Sequence, residues 1–158
     1  MSTHAAIVLT AAPTGRFLEG IISGTPKPGT MLQIKAGTEP VNGKHTWEVF
    51  NGAADGERTL VAILLEDSLQ GKLVTDAFVT GTLGKLYCPI PGDELQVLLE
   101  NQSGTADSFA ISDKLIVDDG TGKFIATTGS PESEPFIVME TLAAITADTL
   151  CHCMYTGH

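Results

Sequence analysis

Residues 115–126 read as an apolar run, a tight turn and a second apolar run: Leu115-Ile116-Val117, then Asp118-Asp119-Gly120-Thr121-Gly122-Lys123, then Phe124-Ile125-Ala126. Asp and Gly tolerate the backbone dihedrals that tight turns need, so this pattern predicts a β-hairpin. The same grammar recurs from about Phe17 to the end of the chain. No 10–15-residue amphipathic stretch separates the apolar runs, which excludes a doubly wound α/β fold. The chain is therefore expected to be all-β: a compact barrel or sandwich of about ten short, mostly antiparallel strands.

Strands are predicted at 17–22, 30–34, 45–50, 58–66, 74–80, 85–88, 95–100, 115–117, 123–128, 136–142 and 149–155. In 58–66 both alternating faces are apolar, so this strand is expected to be central or covered on both sides. Pro89 and Pro91 end the strand at 85–88, because proline removes ladder donors. Residues 143–148 read as a helical turn or an irregular linker. Residues 1–16 lack periodicity and are broken by Pro13 and Gly15. They are expected to form an N-terminal arm, leaving 17–158 as a single β domain. Gly92-Asp93-Glu94-Leu95-Gln96-Val97 is echoed twenty positions later by Ser112-Asp113-Lys114-Leu115-Ile116-Val117. This predicts one local device used twice: an Asp whose side chain caps a turn, followed by a strand with Leu and Val inward.

With 158 residues the chain is long enough to bury its own core. Its 19 acidic and 9 basic side chains give a net charge of -10. That balance opposes a phosphate backbone or an anionic membrane as partner. No apolar stretch reaches the about 18 residues of a membrane-spanning helix. The cysteines at 88, 151 and 153 are too sparse for a disulfide framework and suit a reducing compartment.

Candidate chemistry is thin. Cys151-His152-Cys153 would put two thiols on one face of a strand and the imidazole on the other, which cannot hold one metal without a bend. Small core side chains with a surface His are expected instead. From Asp118, position twelve of a calcium loop falls on Gly129, which is no ligand. Carboxylate pairs such as Asp93-Glu94 point apart in a strand and lie by predicted turns. No phosphate loop and no nucleophile elbow is present. No enzymatic activity, cofactor or metal is expected.

The blocks 87–99 and 104–124, the segment Ile125-Ala126-Thr127-Thr128-Gly129-Ser130-Pro131-Glu132-Ser133-Glu134-Pro135, and 147–155 resemble the capsid decoration, or cement, proteins of tailed bacteriophages. The likeness covers most of 58–157 and is thin before residue 30. It implies a non-enzymatic β-rich protein on the outer surface of the virion capsid, synthesised in the host cytoplasm. Its implied partners are the major capsid protein and itself, as a homotrimer, with no direct nucleic-acid contact. The resemblance carries no motif of functional side chains, so interface residues are taken from physical character. Ile7 and Leu9 are the large apolar residues of the arm, expected to reach the capsid or another subunit. Arg16 and Arg58 are the only arginines, suited to pairing with carboxylates across an interface or to plain solvation. Trp47 and Tyr155 are core or interface anchors. The competing readings are another virion β-protein, such as a tail or fibre component, and a carbohydrate- or ligand-binding β module.

Overall fold

Period-two apolar runs become thirteen strands among the described residues: β1 (Val8–Thr10), β2 (Arg16–Ile22), β3 (Met31–Ile34), β4 (Thr46–Val49), β5 (Val61–Leu64), β6 (Leu83–Cys88), β7 (Glu94–Leu99), β8 (Asp107–Phe109), β9 (Lys114–Val117), β10 (Phe124–Ala126), β11 (Phe136–Val138), β12 (Leu142–Ile145) and β13 (Thr149–Tyr155). The structure, a computed structural model, describes residues 7–10, 16–52, 60–102, 106–127 and 136–157, with the backbone alone for 8–10. The only helical element among them is a single 3-10 turn, Ser68–Gln70. The protein is all-β, as expected, with more and shorter strands than the apolar runs suggested.

The strands make two rings. The first is a closed barrel in the order β2-β4-β3-β5-β6. Its interior holds Ile22, Leu32, Trp47, Ala62, Leu64, Phe78 and Leu86. Five strands leave little room inside, and two facing glycines supply it. Gly20 and Gly84 sit opposite each other on β2 and β6. The Trp47 indole lies where a Cβ on Gly20 would be, and Ile22 lies where one on Gly84 would be. Pairing small against large residues is how a narrow barrel fills without voids.

The second ring is a sheet of order β1-β7-β10-β9-β11-β13, closed on itself because β7 also pairs with β13. The predicted hairpin is here: β9 and β10 pair antiparallel with Phe124 opposite Val117. Pairing is antiparallel except for β2 with β4 and β10 with β7. β8 and β12 form a separate two-stranded ribbon. The second core gathers Leu95, Val97, Leu99, Leu115, Phe124, Phe136, Val138, Cys151 and Cys153. Phe124 meets Phe136 edge-on, with ring centroids 4.9 Å apart.

Strand β5 explains how two rings share one chain. Ala62 and Leu64 face the first core, while Ile63 belongs to the second. The doubly apolar pattern of 58–66 thus reflects a strand covered on both sides, for its described part. Backbone bonds also stitch the rings: Met31 N–H donates to Gly122 O at 2.8 Å, and Leu98 N–H to Gly29 O at 3.0 Å.

The repeated Asp device is present at both positions. Asp93 Oδ2 accepts from Ile90 N–H at 2.8 Å, and Asp113 Oδ2 accepts from Ala110 N–H at 2.7 Å. Each Asp N–H bonds back to the carbonyl of the same residue, Ile90 or Ala110. The third residue of each turn takes positive φ: Gly92 at 96° and Ser112 at 77°. The same side-chain bond also closes a turn of a different form, without a positive φ and with no strand after it: Asp76 Oδ2 accepts from Leu73 N–H at 3.0 Å. That turn replaces the strand expected at 74–80, and Phe78 leaves it to plug the first barrel. At the other end, 142–145 is strand β12 instead of a helical turn or linker.

Candidate interaction surface

The residues singled out in the sequence do not converge. Ile7 is fully buried in the second core, and its carbonyl accepts from Gln96 N–H at 2.6 Å. The backbone at Leu9 lies in β1, paired antiparallel to β7. The described part of the expected arm is therefore built into the sheet, because β7 offers it a ladder and the core offers Ile7 a site. Trp47 takes the core reading: it is 2% exposed inside the first barrel. Tyr155 is half-buried and packs on Phe136, with ring centroids 5.1 Å apart. Burial pushes its phenol above the ordinary range. Arg16 is exposed at the start of β2, opposite Cys88. Arg58 lies outside the described residues.

Cys151 and Cys153 point into the second core and His152 points away, as strand alternation requires. The mutual contact with Cys151, together with burial, pushes the Cys153 thiol far above its ordinary range, so it is a packing group. His152 Nε2 lies 2.9 Å from Glu94 Oε2 on the outer face. Among the described residues no group of three His, Cys, Asp or Glu could hold a metal. Two surface clefts of about 250 and 340 Å³ are shallow. In the larger, Lys123 is engaged by Asp148 at 2.9 Å and Glu100 at 3.3 Å.

What the first barrel does present is an apolar patch on the outer side of β2 and β6. Ile21 and Leu83 are directly opposite in register there. The Gln70 amide donates to Leu83 O at 3.1 Å, which sets the Ser68–Gln70 turn beside them. Leu69, on that turn, is 88% exposed. The turn is clamped: Asp67 and Lys72 exchange two backbone bonds of 2.8 Å, and the left-handed Gly71 closes it. Lys85 pairs with Asp67 at 3.2 Å, and Lys44 pairs with Glu19, so both signs of charge border the patch. An apolar centre with a polar border is the anatomy of a protein-binding surface. Periodicity could not find it, since Leu69 sits in a turn and Leu83 falls between the strands predicted at 74–80 and 85–88.

Burial raises the Asp67 carboxyl, but bonds from Lys85, Gln70 and Leu69 N–H outweigh it and hold the group below its ordinary value near 3.8. A depressed carboxyl contributes stability above its unfolded-state value and loses it as pH falls through the folded-state value. Asp67→Asn is expected to show a smaller drop in urea midpoint between pH 7 and the acid range below about pH 4 than the parent protein. Equal acid sensitivity would refute this role for Asp67.

No family model matches this sequence, and no curated protein matches it. The fold is similar to that of the N base of head fiber gp8.5 in bacteriophage phi29, with a TM-score of 0.53 at 10% identity. The similarity spans 90% of this chain and 95% of that one.

Proposed function

We propose that this chain is a structural protein of a tailed-bacteriophage virion, seated on the outer surface of the head. There it bridges neighbouring major capsid protein subunits, as a trimer, and stiffens the shell without enzymatic action or cofactor. The observation that carries this reading is the likeness of fold, over nearly the full length of both chains, to the base of a phage head fibre. The net charge of -10 supports a protein partner over nucleic acid or an anionic membrane. The three free cysteines suit synthesis in a reducing host cytoplasm.

The same likeness favours a second reading, in which the chain is itself the base of a head fibre. Both readings place it on the head and separate it from a tail component. The test is to mix purified protein with empty heads assembled from major capsid protein alone, and sediment them. Saturable co-sedimentation with heads, and none with isolated tails, is expected. Protein that remains in the supernatant, or that follows the tails, overturns the proposal. Truncation of 1–16 is a poor probe of capsid contact, because it removes the buried Ile7 and strand β1.

A further inference from the structure

The two rings differ in charge and in exposed apolar surface. Among the described residues, 16–90 carry six basic and six acidic side chains, while 91–157 carry two basic and nine acidic. The first barrel is thus nearly neutral, and the second ring holds almost all of the net charge. Of the seven large hydrophobic residues exposed among the described residues, only Ile111 lies in the second ring.

We infer that the first barrel, through the face made by Ile21, Leu69 and Leu83, docks against a second copy of this chain, with the acidic second rings held apart. This deepens the oligomeric part of the proposed function and rests on it. Three observations favour a copy of the chain as occupant. The border of the face pairs its own charges, Lys85 with Asp67 and Lys44 with Glu19, so two copies meet without burying unmatched charge. Contact through the second rings would crowd two bodies of like charge within the about 10 Å over which salt fails to screen them. Leu69 projects from a clamped turn, so seating it costs little ordering. A strongly basic partner would be drawn to the second ring instead.

Sedimentation equilibrium of the full chain tests this. The parent protein is expected at a multiple of 16.6 kDa. Leu69→Glu and Leu83→Glu are each expected to weaken association by at least about tenfold. Leu69 is exposed and has little packing to lose, so its variant keeps the parent's far-ultraviolet circular dichroism. Ile111→Glu, on the acidic ring, is expected to associate as the parent does. Added salt is expected to tighten association, because it screens the second rings. A parent mass of 16.6 kDa throughout would overturn the inference. So would undiminished association of both patch variants, or equal dissociation by Ile111→Glu. Patch variants that keep their mass but leave the heads would assign the face to the capsid and overturn it as well. If no variant and no parent protein binds heads while the masses split as expected, this inference stands and the virion reading falls.

Discussion

Asp93→Ala is expected to destabilise the protein by about 3–4 kcal/mol, a drop in melting temperature of about 10 °C. The carboxylate is fully buried. It accepts from Tyr87 O–H at 2.7 Å and from Ile90 N–H at 2.8 Å. Alanine leaves both donors without that acceptor, Tyr87 O–H in a fully buried place, and an orphaned buried donor costs more than a bond contributes. The turn also joins the two rings. Tyr87 lies on β6 of the first, while Asp93 O accepts from Tyr155 N–H, at 2.9 Å, on β13 of the second. Asp113→Ala removes the same kind of turn bond at an exposed site, since Ala110 is open to solvent. It is expected to cost about 1 kcal/mol, as loss of a local cap does. Thermal melts of the two variants check the ordering. Equal losses would show that burial at Asp93 has no special weight.

Gly20→Ala is expected to cost about 3 kcal/mol and to move the only tryptophan. A Cβ at position 20 would lie 2.1 Å from Trp47 Cδ1. The indole must shift, and Leu32, Leu64 and Leu86 in the same small interior leave it nowhere to go. Fluorescence reads this directly: emission moves to the red as the ring meets water, and the melting temperature falls by about 10 °C. Unchanged emission and stability would mean that the first barrel is looser than its packing shows.

These two sites mark how far the sequence could be read. The turn at Asp93 was legible because its signal is local, a Pro-Gly-Asp run before an alternating strand, with an echo at Asp113. The related turn at Asp76 was hidden: Leu73-Val74-Thr75 has no glycine or proline and imitates a strand. Strand β12 was hidden for the opposite reason. Ala143 and Ala144 carry no strand signal of their own, and pairing with β8 across the chain makes the strand. Gly20, between Glu19 and Ile21, carries no local signal, because its role depends on Trp47, brought over it by the short parallel pairing of β2 with β4. Ring closure is likewise long-range. Alternation fixed which faces of β5 are apolar, but could not say that they serve two cores. The patch at Leu69 and Leu83 needed three-dimensional adjacency of a turn and a strand end. The place of Ile7 was not legible because it stands in a stretch of small residues with no period, and its burial comes from its neighbours on the second ring.

Cryo-electron microscopy of virions with and without this protein reads its place most directly. The difference map is expected to show density on the outer face of the head, over junctions between major capsid protein subunits, with two lobes for the two rings. Density on the tail or inside the shell, or no difference at all, would contradict it.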